Sequence, residues 1–167
     1  DVVIFNYTKI IDGKKNKNRM LFDKLTIIES EEESLLHEKL IENNSYNVLW
    51  CKAVKRNLLD LKGFEQFEDL RISEDLLYSI SIFSKATRIL FENKYLYNYY
   101  IHGDSTSRRF RMEHFDDVTA VRKYYLQYLK DQIFDTTVAQ EKLLRWYLSY
   151  VNRYIRDLVN SQLGREE

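Results

Sequence analysis

A chain of 167 residues, 44% hydrophobic and 31% charged, is long enough for one core and too apolar to stay disordered. Its 26 Lys and Arg balance its 26 Asp and Glu, so no global field draws it to nucleic acid or to an anionic membrane. No run approaches the roughly 18 apolar residues that span a bilayer, and no signal peptide is visible.

Cys51 is the only cysteine, which excludes an internal disulfide, fits a reducing compartment and suits a small buried hydrophobe. The unusual feature is the aromatic content, with 13 Tyr, 9 Phe and 2 Trp. Tyrosine offers a flat apolar body with a polar tip, suited to cores, interfaces and sugar-stacking surfaces alike. The expected fold class is α+β, helix-rich with a few short strands, closed by a C-terminal helical hairpin.

The chain opens on Asp1 inside a strand, with no initiator Met, as a fragment would. Residues 2–11 are rich in β-branched and aromatic types and run into the turn signal Asp12-Gly13. The basic run 14–19 is expected to be a solvated loop, and Lys24 to Glu29 a second short strand. Ser30 and Glu33 form a capping box, opening a helix that runs to about Glu42 and stops at Asn43-Asn44. A strand is expected at Asn47–Trp50 and a brief helix near Val54–Leu59, while Phe64–Ile72 is ambiguous. Ser73-Glu74-Asp75 opens the next helix, with Leu76, Leu77, Ile80 and Phe83 on one buried stripe. Two short strands follow, Arg88–Phe91 and Tyr95–Tyr100, joined as a hairpin through Glu92-Asn93-Lys94; Gly103 to Arg111 reads as a basic loop.

The last third holds two long amphipathic helices joined at Asp135-Thr136-Thr137. The first spans Glu113 to Phe134, with Val118, Val121, Tyr125, Leu129 and Gln132 on one face. The second spans Val138 to Leu163, with Leu144, Tyr147, Leu148, Val151, Tyr154, Ile155 and Leu158 as its apolar face. Thr137 and Gln140 suggest a capping box for it. Residues 1–111 are expected to form one unit and 112–167 the helical hairpin.

Three ordered pieces carry a family resemblance: Val48-Leu49-Trp50-Cys51-Lys52-Ala53-Val54-Lys55-Arg56-Asn57-Leu58-Leu59, then Ile72-Ser73-Glu74-Asp75-Leu76-Leu77-Tyr78, then Tyr95-Leu96-Tyr97-Asn98-Tyr99 with Ser105-Thr106-Ser107. Together they resemble the distal, acceptor-side half of bacterial family 2 inverting glycosyltransferases of GT-A fold, enzymes that build capsular, cell-wall and lipopolysaccharide glycans. The resemblance covers residues 1–110. It departs from the family at Cys51, at Ala53-Val54 and in lacking a proline before the Tyr-x-Tyr strand.

The resemblance implies a fragment of an enzyme that moves a sugar from a nucleotide-sugar donor to a glycan or lipid-linked acceptor. Asp75 would be the base that takes the acceptor hydroxyl's proton, and Glu74 would orient it or hold an acceptor hydroxyl. A carboxylate in hydrogen-bond reach suffices for that transfer. Acids just after Ser73 would also be favoured merely by the helix dipole. Trp50 and Lys52 are substrate-binding candidates, an indole face for a sugar ring and an ammonium for its oxygens, with a core Trp beside a surface Lys as the alternative. His102, Ser105, Arg108 and Arg109 form a polar, cationic loop that in similar enzymes folds over the diphosphate.

A divalent ion, Mg or Mn, is implied for the complete enzyme, but the Asp-x-Asp that holds it has no match here. The isolated chain is therefore expected to be inactive, with no metal site of its own; three scattered His residues give no ligand spacing. The implied location is cytoplasmic, with peripheral contact at the inner face of the cell membrane or a homodimer through the C-terminal helices as further options. The competing class is a non-catalytic helical interaction module. A nucleic-acid binder is disfavoured by the zero net charge.

Overall fold

A computed structural model describes residues 1–18, 25–29, 33–42, 46–101, 111–132 and 135–163. The expected cap at Ser30, the stop at Asn43-Asn44 and the loop holding His102, Ser105, Arg108 and Arg109 lie outside these residues. The described elements are strands β1 (Val2–Ile11), β2 (Lys14–Lys17) and β3 (Thr26–Glu29), helix α1 (Glu33–Glu42), strand β4 (Lys52–Val54), helices α2 (Leu61–Phe64) and α3 (Glu74–Phe83), strand β5 (Arg88–Ile101), and helices α4 (His114–Lys130) and α5 (Thr137–Leu163). The chain is α+β and helix-rich, as composition and periodicity imply.

β1 is the hub of a mixed sheet. One of its edges pairs antiparallel with β4 along Val2–Ile4 and with β2 along Thr8–Ile11. Its other edge runs parallel to β5, which in turn pairs antiparallel with β3. The β1–β2 hairpin closes through Asp12 and Gly13, whose φ values of 49° and 75° give the left-handed pair that a two-residue hairpin needs.

Four sequence expectations are corrected here. The basic run at 14–17 is an edge strand, with all four residues exposed; lysines on an edge discourage further pairing, so the charges that suggest a loop also suit this place. The strand expected at Asn47–Trp50 is a turn of tight helix over Leu49–Cys51, and the strand starts at Lys52.

The expected hairpin after α3 is one unbroken strand, β5. Its register against β1 slips between Phe5 and Asn6 and again between Asn6 and Tyr7, so Asn93-Lys94 and Leu96 are absorbed as bulges rather than as a turn. Asn6 Nδ2 donates to Asn93 Oδ1 at 3.1 Å across that irregularity.

The fourth correction concerns α5. Its buried face is Ala139, Leu143 and Trp146, with Tyr150 and Tyr154 half-buried, whereas Leu144, Leu148 and Ile155 are 45%, 48% and 53% exposed. The helix is apolar around well over half its circumference, so periodicity selects a stripe but not which part of it is covered. The helix starts one residue earlier than its expected cap implies. Thr136 O accepts the first helical bond from Gln140 N–H at 2.8 Å, and Gln140 Nε2 reaches Thr136 Oγ1 at 2.7 Å.

The elements stack in three layers: the sheet, then α1 with α3, then α4 with α5. α3 faces both ways. Ile82 and Phe83 join Val2, Ile4, Ile89 and Phe91 in a core against the sheet, while Leu76, Leu77 and Ile80 join Val118, Val121, Tyr125 and Leu143 in a core against the hairpin. The second core crosses the boundary at residue 111, because α1 and α3 supply it together with α4 and α5. His37 on α1 is fully buried there, its Nδ1 3.0 Å from Tyr125 Oη and its Nε2 3.2 Å from Tyr128 Oη. Among the described residues no helix is long and apolar enough to cross a membrane.

Candidate functional site

The N-terminus of α3 is fixed by the segment ahead of Trp50. Ser79 Oγ, buried on α3, donates to Asn47 O at 2.7 Å, and Asn47 Nδ2 donates to Leu40 O at 3.1 Å on α1. These bonds hold residues 47–51 beside α3, where the Leu49 backbone N–H favours the charged form of Asp75. Ser73 does not cap the helix. It sits in the left-handed region at φ 63° with no side-chain capping bond. A serine held there costs backbone energy that a simple helix start would not require.

Glu74 and Asp75 line a cleft of about 610 Å³ enclosed by the sheet, the α3 entry and the hairpin. Its size falls in the ~300–1,000 Å³ range of small-ligand sites. Burial raises the Asp75 carboxyl above the ordinary carboxylate range, opposed by the Lys52 ammonium and by the Leu49 N–H. Glu74 is raised too, first by burial and further by the charges of Asp75 and Asp117. Two neighbouring carboxyls whose pKa values burial raises, lining a cleft, make a candidate site for acid–base chemistry.

Trp50 forms an aromatic wall of the cleft. It stacks on Tyr99 at 5.0 Å and 10° and on Tyr97 at 4.7 Å and 25°, and meets Tyr7 edge-on at 4.6 Å. Tyr7 and Tyr99 line the cleft with it. Trp50 is braced by tyrosines and stays half-buried where it lines the cleft.

Lys52 lies behind this surface instead of in it. Its Nζ donates to Val48 O at 2.7 Å and lies 5.6 Å from the Phe83 ring centre. Enclosure of that ammonium lowers its pKa from 10.5 to about 8, with the Asp75 charge partly restoring it. Lys52 is therefore set back from the cleft, where its charge opposes the upward shift of Asp75.

The structure thus brings Trp50, Glu74 and Asp75 together and sets Lys52 behind them. Sequence reasoning missed the opposite wall, where Trp146, Tyr150, Arg153 and Tyr154 of α5 face the cleft with Arg71 and His114. The signal was present: Trp146, Tyr150 and Tyr154 recur every four residues on one helix face. Burial lowers the His114 pKa, with Asp117 opposing. Among the described residues no group of three or more His, Cys, Asp or Glu is placed to hold a metal ion.

The fold and site define an α+β protein with an aromatic, carboxylate-bearing cleft beneath a helical hairpin. No protein-family model and no curated protein matches the chain.

Proposed function

We propose that the cleft is the acceptor side of an inverting glycosyltransferase, with a saccharide lying on the Trp50–Tyr99 wall and its hydroxyl presented to Asp75. The observation that carries this reading is the carboxylate pair at the α3 entry, raised by burial and opening into a cleft faced by an indole. A stacked sugar ring gains contact with the indole face, and its hydroxyls meet the carboxylates at the floor. Asp75, steadied by Leu49 N–H and Lys52, takes the hydroxyl proton as the oxygen attacks the anomeric carbon of the donor from the face opposite the departing nucleotide. Glu74 orients the acceptor. The divalent metal and the nucleotide-binding residues implied by the family resemblance would belong to the donor side of the complete enzyme.

Binding of neutral oligosaccharides, followed through Trp fluorescence and through the indole N–H signals of Trp50 and Trp146, tests the reading. Saturable shifts that disappear in Trp50→Ala are expected. Saccharides that leave both indoles unmoved at millimolar concentration would remove it.

A second reading, a helical interaction module, is favoured by one feature: Leu144, Leu148, Ile155 and Val159 form an exposed apolar stripe along α5. Sedimentation of the wild type against Leu148→Glu separates the two. Concentration-dependent association that the substitution abolishes, together with no saccharide binding, would favour the module.

A further inference from the structure

Charged side chains of both signs line the cleft: Glu74, Asp75 and Asp157 with Lys9, Arg71 and Arg153. Around Glu74 and Asp75 the neighbouring charges are Asp117 and Lys52. Around His114 they are Arg111 and Arg153, with Asp117 and Glu113. Arg71 on the segment entering α3 and Arg153 on α5 line the cleft with the imidazole of His114 at the start of α4, and Lys9 of β1 is a further cation in its lining.

Both arginines are paired with acids, through long and exposed contacts. Arg71 meets Glu113 at 3.6 Å and Arg153 meets Asp157 at 3.6 Å, with the arginine side chains 53% and 55% exposed. Pairs that long and that wet hold weakly and yield to a better acceptor. Asp117 is buried and accepts from the backbone N–H of Arg71 at 3.2 Å, which fixes Arg71 at the rim. A guanidinium fork matches a carboxylate or phosphate in two parallel bonds, a fit that a hydroxyl cannot offer.

We propose that the wall formed by Arg71, His114 and Arg153 recognises an oxyanion carried by the saccharide, so that the preferred ligand is an acidic sugar bearing a carboxylate or a phosphate. This rests on the saccharide reading of the cleft. The ring lies on the Trp50–Tyr99 wall, the reacting hydroxyl points to the carboxylates and the oxyanion points away from them to the arginines. The oxyanion is thereby kept away from Glu74 and Asp75, which selects one orientation of the sugar as well as one class of it.

A matched set of trisaccharides tests this, identical except at the terminal C6, which carries a hydroxyl, a carboxylate or a phosphate; inorganic phosphate alone is the fourth ligand. Dissociation constants come from Trp fluorescence, and the His114 ring is titrated by NMR with and without sugar. Either acidic sugar is expected to bind about tenfold tighter than the neutral one at low salt, a margin that shrinks in high salt. His114 should titrate at higher pH in the acidic complex, and Arg153→Gln or Arg71→Gln should each bring the acidic-to-neutral ratio close to one.

Equal binding of acidic and neutral sugars, or a preference that survives both substitutions, overturns the inference and leaves the saccharide reading standing. Inorganic phosphate binding as tightly as the sugar phosphate overturns it as well, because the ring would then contribute nothing. Failure of all three sugars to bind removes the saccharide reading and this inference with it.

Discussion

Replacing Lys52 by Met gives the sharpest physical test of how the site is held. Enclosing the ammonium moves its pKa from 10.5 to about 8, which corresponds to about 3 kcal/mol against the charged form in the folded state. Below pH 8 the lysine is charged whether the chain is folded or not, and the folded state bears that cost in full. Between pH 8 and 10.5 the folded lysine loses its proton while the unfolded one keeps it. The unfolded state then binds more protons, so stability rises with pH.

By about pH 9.5 the gain over pH 7 is about 2 kcal/mol, and Lys52→Met, having no proton to lose, lacks it. The absolute effect at pH 7 combines this relief with the lost bond to Val48 O, so the pH dependence of the difference is the clean quantity. Urea unfolding of both proteins at the two pH values measures it. A Cys51→Ser background in both removes the neighbouring thiol, whose own pKa burial raises. A wild-type advantage that changes by less than about 0.5 kcal/mol over this range would refute the enclosure of the ammonium.

Two further expectations test the local structure. Ser73→Gly should stabilise the chain by about 0.5–1 kcal/mol in urea unfolding, because φ 63° suits glycine and no side-chain cap is lost. Leu143→Ala should cost about 2–5 kcal/mol while its neighbour Leu144→Ala stays within about 0.5 kcal/mol, since the first is buried and the second exposed. Reversed costs would restore the helix face that periodicity alone suggested.

Much of the fold is legible wherever one short-range rule decides. Asp12-Gly13 specifies a tight hairpin whatever surrounds it, and Leu76, Leu77, Ile80 and Phe83 mark α3 through spacing alone. Legibility ends where the deciding partner is distant in sequence. Glu92-Asn93-Lys94 has turn composition, yet β1 holds β5 extended past it by letting two bulges take up the surplus. α5 shows apolar residues on two adjoining faces, and only its contact with α1, α3 and α4 decides that Leu143 goes in and Leu144 stays out.

The site divides in the same way. Trp50, Glu74 and Asp75 stand in short motifs that the sequence displays. The capping explanation for the acids does not extend to Ser73, which makes no side-chain cap. Lys52 beside Trp50 gives no sign in sequence that its ammonium turns inward to Val48. Tyr7, Arg71 and Arg153 come from three elements up to 146 positions apart, and their meeting at one cleft depends on packing of the hairpin over α3.

The most direct test replaces Asp75 by Asn in the protein at its full natural length and measures sugar transfer to a saccharide acceptor. The amide keeps the shape but cannot take a proton, so transfer should fall by about 10²–10⁴-fold with thermal unfolding and acceptor binding retained. Turnover near that of the wild type in a folded Asp75→Asn protein would contradict the assignment of the base, and with it the proposed chemistry of the cleft.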